Sequence, residues 1–555
     1  MKAIIVILFC RKCRPAKEKG GEMVKKRSFA AVAFVLVMFL LLTVGCSRTK
    51  TENAAADQKT ELILALGAEP EGGFDPTTGW GRYGSTLFQS TLLKRDNNLK
   101  IVNDLATDYM VSDDGLVWTV KIRNDVKFSD GKPLTAADAK YTFETAAKSG
   151  SVVDLNNLNN VEAVDDSTVK FILNKPQSTF VNLLVCTGIV PRHAHDKDYG
   201  KKPMGSGPYK FVQWDKGQQL IVEVNPLYYG PKPYFTKITF LYLSEDAAMA
   251  AANAGKLDMA AIPASFSKQR VAGMTLLPVD SVDNRGILFP YVKSGGKTDK
   301  GLAVGNDVTA DIAIRKAVNV AINRKALVDG ILEGQGTPAY SVCDGLPWWN
   351  KDTVVKDNDA AEAKKILNDG GWKDTDGDGM LEKGTLKAQF TLLYPASDKI
   401  RQSLAIAVAD MLKPFGIIIN AEGKSWDDIG KLQHSNAIVF GWGSHTPLEM
   451  YSLFSSKMAG IEYFNAGYYS NPAVDAYMDK ALAAADENQA NEFWKKAQWD
   501  GQTGLSARGD APWAWLVNLK HCYLVKDNLD IGKPKVEPHG EGWPVTDNIT
   551  EWRWK

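Results

Sequence analysis

The chain has 555 residues, 45% hydrophobic and 24% charged, with 66 Lys and Arg against 65 Asp and Glu. That length exceeds what one hydrophobic core usually holds, so two or more domains are expected. No basic stripe with interleaved aromatics occurs, which argues against a nucleic-acid partner.

In chain order, Lys25, Lys26 and Arg27 precede an uncharged apolar run over residues 29–44, which closes on Thr43, Val44, Gly45 and Cys46. A basic region, an apolar region and small residues before a cut read as a secretory signal. The Cys after Gly45 makes the segment resemble a bacterial lipoprotein lipobox, with Cys46 the lipidated residue. Residues 1–45 are then signal peptide, with 1–22 upstream of a true start at Met23, and residues 46–60 form a polar, Ala-rich lipidated tether. An uncleaved anchor is the alternative, although the run is short of the ~20 residues a span needs. The first 45 residues hold nine Lys or Arg and two Asp or Glu, so the mature chain carries 57 against 63, a net charge of −6. Cys186, Cys343 and Cys522 remain in it, widely spaced and odd in number, which reads as buried thiols or one disulfide rather than a disulfide framework or zinc ribbon.

From Glu61 onward strand and helix signals interleave. Trp118, Val120 and Ile122 alternate with Thr119, Lys121 and Arg123, and Ile238, Phe240 and Tyr242 alternate before a helix starting near Ser244. Thr135 is placed to cap a helix after the Ser129-Asp130-Gly131 turn. Ile314, Val318, Ala321 and Ile322 share one helical face, as do Val474, Met478, Ala481, Leu482 and Ala485. The fold class is mixed α/β.

Four blocks in order carry a family resemblance: LATDYMVSDDGLVWTVKIRNDVKFSDGKPLTAADAKYTFE at 105–144, GSGPYKFVQWDKGQQLIVEVNPLYYG at 205–230, IRKAVNVAINRKALVDGILEGQGTPA at 314–339 and GYYSNPAVDAYM at 467–478. Together they resemble the family 5 extracytoplasmic solute-binding proteins, receptors of peptide and nickel ABC importers. The resemblance implies a two-lobed, type II periplasmic-binding-protein-like fold with a hinge and a ligand cleft between the lobes. Lobe 1 would span residues 61–288, with a subdomain at about 101–204, lobe 2 residues 289–509, and residues 510–555 would return to lobe 1. The Trp513-Ala514-Trp515 stretch then reads as a strand packing back into lobe 1. The implied protein is a monomeric, membrane-anchored extracytoplasmic receptor that delivers its ligand to permease and ATPase subunits and catalyses nothing. An anchored hydrolase would need a nucleophile–base or carboxylate pair, and none can be named. A sensory lipoprotein with the same fold is a further alternative.

The loop Gly441-Trp442-Gly443-Ser444-His445-Thr446-Pro447 follows an apolar strand and would sit at its carboxyl end, where open α/β lobes place ligands. Peptide receptors of the family carry Asp three residues after this Trp, to pair with the peptide ammonium. Here His445 stands in its place, and an imidazole is better suited to finish the coordination of a borderline metal than to neutralise an ammonium. A nickel or other metal chelate, with free histidine as a candidate chelator, is therefore favoured over a peptide. Arg285, near the entry to lobe 2, could take a ligand carboxylate, or form a structural salt bridge instead. Trp80 and Tyr83, on a Gly-rich loop, and Trp348 and Trp349 could stack on a ligand. Asp374, Asp376 and Asp378 occupy positions 1, 3 and 5 of an EF-hand-like loop, with Glu382 at 9 but Thr385 at 12, so they read as a Ca²⁺ loop or as a solvated turn. His193 and His195, two apart, could share a metal, although a connector segment is the plainer reading.

Overall fold

The computed structural model describes residues 59–70, 72–84, 87–150, 153–484, 486–540 and 542–555. The signal segment, Cys46 and most of the tether lie outside the described residues. None of the described helices is long and apolar enough to cross a membrane.

Alternating hydrophobicity yields strands where expected. In Val117–Ile122 the side chains of Trp118, Val120 and Ile122 are buried while Thr119 and Lys121 face outward. This strand lies in a four-stranded antiparallel sheet, in the order Ala106–Val111, Val117–Ile122, Thr168–Leu173 and Leu158–Asp165. Helix Ala136–Lys148 covers it. The helix starts at Thr135, whose backbone N–H donates to the Asp138 carboxylate at 3.0 Å. Helix Ile312–Ala321 buries Ile314, Val318 and Ala321, and helix Pro472–Leu482 buries Val474, Met478 and Ala481.

An eleven-stranded sheet organises the rest. Its first half centres on Glu61–Ala65, parallel to both Lys237–Leu241 and Met259–Ile262. Its second half centres on Gln389–Pro395, parallel to Ile418–Lys424 and Ala437–Trp442. Helices cross between the parallel strands of each half: Glu245–Asn253 in the first, Lys399–Leu412 and Trp426–Leu432 in the second. Two long antiparallel strands, Met274–Leu288 and Trp513–Lys526, join the halves.

The ladder between these long strands is interrupted. Met274 to Asp280 pair with Lys526 to Lys520, and pairing resumes only at Asn284 with Asn518. Into this break fits the segment holding Glu537, whose N–H donates to the Asp280 carbonyl at 2.9 Å and whose carbonyl accepts from Val282 N–H at 2.8 Å. Bulges of this kind bend a strand and increase its twist. The C-terminal strand serves both halves. Trp513 and Trp515 lie opposite Leu288 and Gly286 and pack with Phe440 and Phe454 in the second half, whereas Cys522 to Val525 pair with Met259–Ile262 in the first. The two Trp residues therefore do not pack back into the first half, as expected from sequence; the strand reaches that half eight residues later, with Tyr523 and Val525. Cys186, Cys343 and Cys522 are free thiols.

Candidate functional site

Beside the junction lies a cavity of about 610 Å³ with walls from both halves of the sheet. The loop after Ala437–Trp442 supplies Ser444, His445 and Thr446 from one side; Arg95, Asn182 and Lys535 come from the other. A smaller cavity of about 250 Å³ lies between the carboxyl end of Met259–Ile262 and second-half residues such as Gln335 and Ile400. Glu537 lines the first cavity and His521 the second, and these two are hydrogen-bonded at 2.5 Å.

Local sequence explains the His445 loop. At Gly443, with φ at 141°, a Cβ would lie 2.1 Å from the Val282 carbonyl oxygen, so only Gly lets the chain pass. The buried Glu449 carboxylate, from the helix Leu448–Phe454, accepts from Gly443 N–H at 3.2 Å and Ser444 N–H at 3.1 Å. Burial pushes Glu449 up to about 7 despite these bonds, and the nearby Asp283 adds to the shift. From across the cavity the Arg95 guanidinium donates to the His445 carbonyl at 2.5 Å, to the Leu99 carbonyl at 2.8 Å and to Asn182 Oδ1. Lys535 donates to the Arg95 carbonyl and pairs with Asp547.

His445 itself is held neutral. Burial, then the positive charges of Arg95 and Lys535, push its imidazole down to about 3. The Val536 backbone acts the other way. Nε2 is shut off from solvent and has no hydrogen-bond partner.

Of the other residues singled out from sequence, Tyr83 also lines the cavity, with the Arg82 guanidinium 4.1 Å from its ring centroid. Trp80, Trp348, Trp349 and Trp442 line neither cavity. Trp80 meets Phe74 and Trp543 edge to face at 4.9 and 5.6 Å, within a core cluster. Trp348 is buried, Trp349 packs against the same second-half core, and Trp442 lies 5.9 Å from Phe464. In each case the large apolar ring is drawn into a core, the commoner fate of an aromatic side chain. Arg285 is buried and paired with Asp283, with a further bond to the Asn284 carbonyl at 2.8 Å, and its Nε is unpartnered. The histidine pair is split: His193 bonds Asp130 at 2.8 Å, while His195 bonds Asp75 and the Tyr141 hydroxyl, each at 3.1 Å. They share no common point. Asp374 and Asp376 come together with Glu382 rather than with Asp378.

Sequence reasoning missed the ionic wall between the cavities. Asp283 bonds Arg285, His539 Nδ1 at 2.6 Å and His521 Nε2 at 3.4 Å, and Glu537 takes His521 and the Tyr523 hydroxyl, the latter at 2.8 Å. These residues are far apart in sequence and no local pattern links them. Arg95 and Lys535 were equally invisible, 440 residues apart.

Residues 100–462 match the profile of the bacterial extracellular solute-binding proteins, family 5. The chain is 33% identical over 540 residues to Protein XP55 of Streptomyces lividans, covering 94% of each chain. It is 28% identical over 545 residues to the oligopeptide-binding protein AppA of Bacillus subtilis, covering 92% of this chain and 96% of that one. AppA in complex with a nonapeptide superposes with a TM-score of 0.67 at 26% identity, over 89% of this chain and 99% of that one. NikZ from Campylobacter jejuni in complex with Ni(L-His) superposes at 0.73 and 24% identity, with the same coverage, and shares the fold. The chain belongs to the bacterial extracellular solute-binding proteins of family 5.

Proposed function

We propose that the chain captures a metal chelate, of the nickel–histidine type, in the 610 Å³ cavity and hands it to an ABC permease. The observation that carries this reading is the unpartnered Nε2 of His445, on a loop that lines the cavity together with Arg95 and Lys535. In this reading the other ring nitrogen would donate to the Val536 backbone, as a metal-ligating histidine typically does to a carbonyl or carboxylate. When bound, the metal supplies the Lewis acidity that an Nε2 lone pair would satisfy; Arg95 and Asn182 fix the loop that presents it.

In this proposal the interrupted ladder at Asp280 to Asn284 is the hinge, with residues 61–280 and 520–555 in one lobe and residues 284–518 in the other. Bonds across the mouth suit a closed state. Ser178 N–H donates to the Leu482 carbonyl at 2.7 Å and its hydroxyl to the Ala481 carbonyl at 2.8 Å. Cys46 would carry the lipid anchor, and an intact mass showing an unmodified Cys46 in the native host would refute that part.

A short peptide is the second reading. It is favoured by the likeness to AppA and by Arg285 and Arg401, both close to Gly441 and each with a buried, unpartnered Nε that suits a ligand carboxylate. Calorimetry separates the two. Nickel with histidine should give heat and tri- to pentapeptides none; tight peptide binding with no heat from nickel and histidine transfers the assignment to peptides.

A further inference from the structure

The turn Asp374-Thr375-Asp376-Gly377-Asp378-Gly379 lies outside both cavities, between helix Ala360–Asp369 and the short hairpin that begins at Glu382. One carboxylate oxygen each from Asp374, Asp376 and Glu382 falls within 4.8 Å of the other two. Clustered acids alone are common on surfaces. Glu382 is different, because it is only 8% exposed and its Oε1 accepts no hydrogen bond. Its other oxygen is occupied, accepting from the N–H and hydroxyl of Thr375, both at 2.9 Å. A buried carboxylate oxygen left without a partner is costly, so something is expected to fill the space it faces.

That space has a stand-in. The Lys387 ammonium stands 4.0 Å from Glu382 Oε1, 4.0 Å from Asp376 Oδ2 and 3.2 Å from Asp378 Oδ2. Only the last is a hydrogen-bond distance. A single half-exposed ammonium thus faces three carboxylates and satisfies one. Asp378, which also accepts from Met380 N–H at 2.8 Å, is the lysine's partner rather than part of the trio.

We propose that Asp374, Asp376 and Glu382 form a Ca²⁺ site, and that Lys387 swings out when the ion enters. Ca²⁺ takes six to eight oxygens in tolerant geometry, so three carboxylates leave room for backbone carbonyls of the turn and for water. Mg²⁺ demands a tight octahedron, which this side-chain set, tied down by its own backbone bonds, is poorly shaped to give. Asp374, for instance, already accepts from Gly377 and Gly379 N–H at 2.7 and 3.1 Å. The ion would pin the turn to the second half of the sheet. It is independent of the ligand cavity, so its test does not depend on which solute is carried.

The mature protein, stripped with a chelator and titrated calorimetrically with CaCl₂, should bind one ion with a dissociation constant of about 10⁻⁴ to 10⁻³ M, the range of extracellular modules. Calcium should also raise the melting temperature more than the same concentration of MgCl₂. Glu382→Gln and Asp376→Asn should each weaken Ca²⁺ by tenfold or more, Asp378→Asn by much less, and Lys387→Met should tighten it. Should Glu382→Gln fail to fold, the exposed Asp376→Asn decides the matter. Absence of Ca²⁺ binding to the wild type at 10-fold above that range, or binding that neither Glu382→Gln nor Asp376→Asn weakens, overturns the proposal.

Discussion

The strand Met274–Leu288 is one continuous element with two different characters. From Met274 to Asp280 it is half-covered: Thr275, Pro278 and Asp280 are exposed, Leu276 and Leu277 half-buried, and only Val279 is buried. From Val282 to Leu288 every residue is buried. Both ends pair with Trp513–Lys526, but only Asn284 to Leu288 also pair on the other edge, with Ala437–Trp442, so that end is central in the sheet and the first end is not. The cover differs as well. Ile287 faces the helices of the second half and Leu288 its opposite core, so this end has no open face. A strand buried on both faces tolerates little change in volume, whereas a partly open one can bend and absorb change. The break falls where one regime gives way to the other, and Asp283, Asn284 and Arg285 are buried there with their partners supplied by side chains and carbonyls.

The largest effect should come from the break itself. Burial acts to raise Asp283, but Arg285, His539 and His521 outweigh it and hold the carboxyl well below the usual range. Asp283→Ala leaves those groups without their shared counter-charge and should cost about 3–5 kcal/mol, as for other broken buried ion pairs. Urea denaturation measures it, and a loss under about 1 kcal/mol would remove the break from any structural role. Next comes the contrast between the ends. Ile287→Ala should cost about 2–5 kcal/mol and Leu276→Ala clearly less, because the half-exposed site loses less burial and leaves no sealed cavity. Equal costs would dissolve the comparison.

A smaller effect is pH-dependent. Burial lowers His521, but its bonds to Asp283 and Glu537 prevail and push it up to about 9. A folded value above the unfolded 6.5 means that this stabilisation is complete below about pH 6.5 and is lost as pH rises through about 9, at no more than about 1.4 kcal/mol per pH unit. The groups facing it are Asp283 and Glu537, the latter shared with the Tyr523 hydroxyl and the former with Arg285 and His539. His521→Gln should flatten the stability profile between pH 6.5 and 9; an unchanged slope contradicts the assignment. The smallest change is Thr275→Ala, at the exposed end, within about 0.5 kcal/mol.

The same contrast explains what was legible in the sequence. Period-two and helical patterns at Trp118 to Ile122 and at Ile314 to Ile322 are local, and local periodicity reports which face is covered. The His445 loop was also legible, since Gly and Pro punctuate the chain after an apolar strand. The aromatic residues were not legible in this way, because Trp80 and Trp348, which pack in core clusters, look the same in sequence whether they line a cleft or fill a core. Nothing in the sequence placed Arg95 and Lys535 beside His445, or His521 and His539 on Asp283; those meetings depend on the long strands and on the return of residues 535–539 through the break. The Trp513-Ala514-Trp515 strand was read as returning to one half because pattern alone cannot show that a fourteen-residue strand spans two.

The most direct measurement is the affinity for nickel with histidine of the wild type and of His445→Ala, by calorimetry at one pH near neutrality. Removing a contact that the chelator cannot replace should cost on the order of 1–3 kcal/mol, tenfold to a hundredfold weaker binding, with the melting temperature of the ligand-free protein unchanged. Equal affinity in the two proteins, or no binding to the wild type, would contradict the account.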